Sequence, residues 1–125
     1  MAKHLHKGDE TLRRWKIIDA SRARDARLLP QLLARLDGDE THENKRHIIR
    51  ALGKIGGPHA EAKLLELVGT QQGLILGDIA QALGKLGSRQ AAPKLKGLCD
   101  HESEWVRQNA SFALRRFLEG DGSRK

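Results

Sequence analysis

The sequence predicts an all-α fold, an α-solenoid of about three and a half stacked helix pairs with a 31-residue period. Three observations carry that prediction. The stretch "ALGKIGGPHAEAKLLELV" at 51–68 returns as "ALGKLGSRQAAPKLKGLC" at 82–99, with nine of 18 positions identical. A single helix pair of about 30 residues cannot bury its own apolar stripe, so copies at such a spacing are expected to cover one another. Within each copy apolar residues recur at i, i+3, i+4 and i+7, which lines one side of a 3.6-residue helix. Nothing alternates with period two for long enough to make a strand.

The elements follow in chain order. The first helix, near 10–24, carries Ala20 where the repeat places Ala51, and the second, near 27–37, carries Leu33 and Leu36 where it places Leu64 and Leu67. The third, near 42–55, starts at Thr41, whose hydroxyl suits an N-cap, and buries Ile48, Ala51, Leu52 and Ile55. Gly56 then stands where a left-handed cap is wanted, and Pro58 prevents continuation. A fourth helix near 59–68 shows Ala60, Leu64, Leu67 and Val68 on one side. The fifth, near 72–86, repeats the third through Ile79, Ala82, Leu83 and Leu86, ends at Gly87, and leaves Leu74 and Leu76 off its stripe. The sixth, near 90–99, aligns Ala91, Leu95, Leu98 and Cys99. The last, near 103–118, has Ser103 as its N-cap and Ala110, Ala113, Leu114 and Phe117 as its stripe. Gly53 and Gly84 fall in the last turns of their helices, where glycine costs about 1 kcal/mol relative to alanine, so a neighbouring backbone is expected to press close there. Residues 1–8 and 120–125 are expected to be flexible tails around one domain over 9–119.

Composition narrows the class. The chain has 125 residues, enough for one domain, and its aromatics are only Trp15, Trp105, Phe112 and Phe117, so the core must be aliphatic. No apolar run approaches the ~20 residues that span a bilayer, and the polar start "MAKHLHKGDE" lacks the apolar segment of a secretory signal. A single cysteine excludes an intramolecular disulfide, and a cytoplasmic protein is expected. The net charge of +7 is patchy: residues 1–37 hold nine Lys/Arg against five Asp/Glu and 69–99 hold four against one, while the rest balances. Such an excess favours acidic partners without choosing among them.

The motif "ALGKIG…A…LL.L", together with "CDHESEWVRQNASFAL", resembles the HEAT-like repeat of the phycobilisome-lyase type over about residues 10–118. Asp100, Val106, Arg107, Ala110, Ala113 and Leu114 carry the likeness, whereas the arginine position is Lys45 in one repeat and Leu76 in the next. The resemblance implies a superhelix of the armadillo type whose second helices line the concave side. It does not imply one function, because these repeats serve in lyases, assembly chaperones, adaptors and some DNA-repair enzymes.

On that side the second helices offer Arg27, Gln31 and Arg35, then His59 and Lys63, then Arg89, Gln90 and Lys94. This mainly basic and polar set points to a non-catalytic scaffold or adaptor that binds an acidic partner protein. The alternative is a nucleic-acid module contacting phosphates through Arg27, Arg35, Lys63, Arg89 and Lys94, although no aromatic interleaves those positions to stack on bases. A lyase or chaperone subunit follows from the resemblance alone. Trp105 and Phe112, seven residues apart and off the core stripe, form a possible second contact or a cover for the open core end.

Other constellations yield to simpler readings. His42-Glu43 and His101-Glu102 sit at different repeat positions, each at a helix start, where acidic residues complement the dipole; no metal is expected. "GKIGG" and "GKLGS" lack the phosphate-loop spacing, and no cofactor is expected. Cys99 takes the stripe position of Val68 and reads as a small buried hydrophobe.

Overall fold

A computed structural model describes the backbone of residues 7–38 and 40–123 and the side chains of 9–38 and 40–116. Among the described residues the backbone forms seven α-helices and no strand. These are α1 (Lys7–Ala23), α2 (Leu29–Leu36), α3 (His42–Ile55), α4 (Pro58–Val68), α5 (Gly73–Leu86), α6 (Ala92–Leu98) and α7 (Glu104–Ser123). Helices α1, α3, α5 and α7 pack side by side in that order as one layer. Helix α4 seats on both α3 and α5, while α2 rests on α3 and α6 on α7, forming the second layer. The fold is thus the expected all-α solenoid, with three helix pairs and α7 as the final half.

Local chemistry sets the boundaries. Thr41 Oγ1 accepts from Asn44 N–H at 3.1 Å and Ser103 Oγ from Val106 N–H at 3.4 Å, so both hydroxyls cap their helices. Gly87 closes α5 at φ 69°, ψ 37° in the left-handed region. Gly56 also has positive φ, but with ψ near −163° it enters a region open essentially to glycine alone. Two second-layer helices are shorter than the 27–37 and 90–99 expected, because each is preceded by a 3-10 turn, at Ala26–Leu28 and Arg89–Ala91. Pro30 and Pro93 lie in the first turns of α2 and α6, where their missing N–H is harmless; one turn deeper, the ring would clash with a carbonyl. Of the expected tails, 1–6 and 124–125 lie outside the described residues, Lys7 and Gly8 open α1, and the backbone of 120–123 continues α7.

The core is one continuous aliphatic cluster running from Ile17 through Ile48, Leu52, Leu64, Ile79, Leu83 and Leu95 to Val106 and Ala113. The side chain of Phe117, expected on the last stripe, is outside the described residues. Helix α5 is buried nearly all round, Leu76 included, because α3, α4 and α7 enclose it; Leu74 alone of its leucines stays exposed. Gly53 and Gly84 explain themselves: a Cβ on Gly53 would meet Ala82 Cβ at 2.9 Å, and one on Gly84 would meet Ala113 Cβ at 2.5 Å and Cα at 2.7 Å. Successive first-layer helices therefore touch backbone to backbone through the same pair of repeat positions. Gly84→Ala is expected to destabilise the fold by about 1–2 kcal/mol in urea unfolding, since overpacking outweighs the helix-propensity gain of alanine.

Candidate interaction surfaces

Polar groups between the helices determine which surface charges remain available. At the junction of α1, α2 and α3, Glu40 accepts from Arg13 Nε and Nη2, both at 2.9 Å, from Arg35 Nη1 at 3.2 Å, from its neighbour Thr41 N–H at 2.9 Å and from Asn44 Nδ2 at 3.2 Å. Burial alone would raise the Glu40 carboxyl, but the donations from Arg13, Thr41 and Asn44 prevail and bring it down to about 2. Between α3 and α5 the fully buried Asp78 takes Arg46 Nε at 2.5 Å and Nη2 at 3.3 Å, with Arg50 3.8 Å away. The hydrogen bond to Asp78 holds the Arg46 guanidinium above its ordinary value.

The second-layer residues expected to bind a partner prove unequal. Arg27 turns back on Asp25 through two bonds of 3.0 and 3.1 Å, and Arg35 is engaged by Glu40. Lys63 is held by Asp37 at 2.7 Å and lies 3.7 Å from Glu66, with its side chain only 12% exposed. Each of these three cations has a carboxylate partner, Arg27 and Arg35 within a few residues along the chain and Lys63 across the repeats at Asp37. Gln31, His59, Arg89, Gln90 and Lys94 are exposed, spread over three successive repeats of the second layer. Lys94 Nζ would stand 3.9 Å from a Cβ on Gly69, which places it over the C-terminus of α4.

Trp105 and Phe112 line one shallow groove with Gln81 and Gln108, but they do different things. Trp105 Nε1 donates to Leu74 O at 3.2 Å, and its indole lies so close over Gly77 that any side chain there would collide with it. It is an interhelical anchor, the counterpart in the α5–α7 contact of the Arg46–Asp78 pair between α3 and α5. Phe112 remains 46% exposed, with the Arg116 guanidinium 5.8 Å from its ring centre. Cys99 is a free thiol and only half-buried, donating to Leu95 O at 3.5 Å and accepting from Ser111 Oγ at 3.6 Å.

The two His-Glu pairs are engaged differently: Glu43 meets Arg14 of α1 at 3.2 Å, while the second pair lies in the α6–α7 loop. His101 Nδ1 accepts from Ser103 N–H at 3.0 Å, and Arg107 Nη1 donates to the carbonyls of His101 and Glu102 at 2.8 and 3.1 Å, closing the α6–α7 loop. Among the described residues no three His, Cys, Asp or Glu side chains gather as metal ligands would.

Residues 29–115 match the family of HEAT repeats. The chain belongs to the HEAT-repeat family. No curated protein and no solved structure matches it. HEAT repeats commonly mediate protein–protein interaction, and no described helix of this HEAT array is long and apolar enough to cross a membrane. Stacking of the repeats also builds a surface that reasoning from the second helices overlooked. On the first layer Ile18 and Arg22 of α1, His47, Arg50 and Lys54 of α3, and Lys85 of α5 line a groove of about 390 Å³. Its one sequence signal is the identity of Lys54 and Lys85 at the same repeat position.

Proposed function

We propose that this protein is a non-catalytic protein–protein interaction scaffold of the cytoplasm that binds an acidic partner. The observation that carries the reading is how the array disposes of its side chains. The apolar stripes are spent inside the stack, while Gln31, His59, Gln90 and Lys94 stand exposed on successive repeats. Curved repeat arrays generally bind along such a line of equivalent positions. We read the "WVRQNASFAL" helix start, with Arg107 closing its loop, as the phycobilisome-lyase variant of the repeat, and carry over its platform role without its chemistry.

Within the second layer the cations best placed for a partner are Lys94 and Lys96, both exposed on α6. Lys63 is a poor choice for a test, since reversing it would also break its bond to Asp37. Affinity capture from the native host, repeated with Lys94→Glu/Lys96→Glu, is expected to lose the acidic partner about tenfold, at roughly 0.7 kcal/mol per reversed exposed charge. Unchanged capture removes this face from the account. If duplex DNA is captured instead, with affinity falling by a slope of about −0.9 per phosphate contact as salt rises, the scaffold reading gives way to a nucleic-acid one.

A further inference from the structure

We infer that the first-layer groove between α1, α3 and α5 is a second binding site, one that takes an extended acidic segment of a partner protein. The choice of a protein partner rests on the scaffold reading above; the site itself is on a different layer and stands on its own geometry. Arg22, Lys54 and Lys85 each lie in the last turn of their helix, where a cation complements the negative end of the dipole. That local reason would be satisfied in three separate helices. Stacking the helices in parallel brings the three cations to one rim, with Arg50 beside them, and no carboxylate belongs to the groove lining. Arg22, Lys54 and Lys85 make no ion pair among the described residues, and Arg50 reaches only an Asp78 carboxylate that Arg46 already occupies.

His47, in the same groove, is pushed below its ordinary value first by burial, then by Arg50 and Arg14 against the opposite pull of Glu43, with Arg46 adding least. Cations on adjacent helices, about one helix spacing apart, lie within about a Debye length of 8–10 Å in ordinary salt, and together they attract an anion that spans them. Size favours a chain over a single ion. Adjacent packed helices lie about 8–10 Å apart, so the rim from α1 to α5 covers about 18 Å, the reach of five or six extended residues. Alternate side chains of such a segment face one way about 7 Å apart, so three successive carboxylates span about 14 Å, and the long Arg and Lys side chains reach over the remaining few ångströms. Composition favours peptide over nucleic acid. The groove lining contains no Trp, Tyr or Phe on which a base would stack, its one ring being that of the half-buried His47, and Ile18 supplies an apolar wall.

A fluorescently labelled eight-residue peptide of alternating Glu and Ala, titrated by anisotropy into the full chain at low salt, tests the site. Binding is expected, with at least about tenfold loss in Lys54→Glu/Lys85→Glu and in Arg22→Glu, little change in Arg115→Glu, an exposed charge on α7, and no binding of the matching Gln peptide. The His47 ring signal, assigned through His47→Gln, is expected to move on peptide addition, and circular dichroism checks that each variant keeps its helix content. The inference is overturned by absence of binding, by equal binding of the Gln peptide, or by loss in the α6 variant Lys94→Glu/Lys96→Glu with the groove variants unaffected. A single-stranded oligonucleotide that binds tighter than the peptide and is lost in the groove variants overturns it too. Loss of the host partner only in the α6 variant, with peptide binding intact, would leave both sites standing as separate surfaces.

Discussion

Leu64→Ala and Leu95→Ala will each cost about 2–5 kcal/mol of stability. The two leucines hold the same repeat position in α4 and α6 and are 0% and 2% exposed. Each truncation removes buried methyl groups from the seam between the layers, and close-packed neighbours relax into the space only in part. Leu12, 61% exposed on α1, is the control: Leu12→Ala should change stability by no more than about 0.5 kcal/mol. Urea unfolding of the three variants checks this, and equal midpoints would mean that the apolar stripe is not what joins the layers. Because each repeat touches only its neighbours, the loss at Leu64 should loosen the middle of the array more than its ends, visible as uneven hydrogen exchange.

Glu40 supplies the second large effect, and it depends on pH. Its carboxyl titrates at about 2 in the folded chain, against an ordinary value of 4.5, so its charged form contributes about 3 kcal/mol at neutral pH. A depressed folded value means that the unfolded chain takes up the proton first. The contribution is therefore complete above about pH 5 and drains away as pH falls through 4.5 towards 2. Glu40→Gln isolates the effect from the other carboxylates. The stability gap between parent and variant should be large at pH 7 and shrink by up to about 3 kcal/mol by pH 2. A gap that stayed constant over that range would show that the four donors around Glu40 do not favour its charged form.

The repeat made much of the architecture readable in advance. Identity between 51–68 and 82–99, with glycine after each stripe and a hydroxyl before two of them, led directly to helices, caps and stacking order. The close approach at Gly53 and Gly84 was also legible, since glycine in a last helical turn needs a reason and a facing backbone is the commonest one. The polar part of the packing of α1 on α3 and its preceding loop was hidden: Arg13 and Arg14 reach Glu40 and Asn44, and hydrophobic spacing has nothing to say about such bonds. Trp105 was misleading for the opposite reason. It lies off the stripe of its own helix, yet its partner Gly77 is 28 residues earlier, and only packing reveals that a missing side chain makes its socket.

Charge divides along the same line. By itself the sequence determined a helical array of near-duplicate pairs, because periodicity and caps are local properties that every copy states again. It also determined a net positive charge, though not where that charge is felt. Only the tertiary structure decided that Lys63 and Arg35 are neutralised by Asp37 and Glu40, while Arg22, Lys54 and Lys85 converge with no acid between them. Electrostatic interaction falls with distance through space, and the distances between side chains on different helices are set by stacking, not by their separation along the chain.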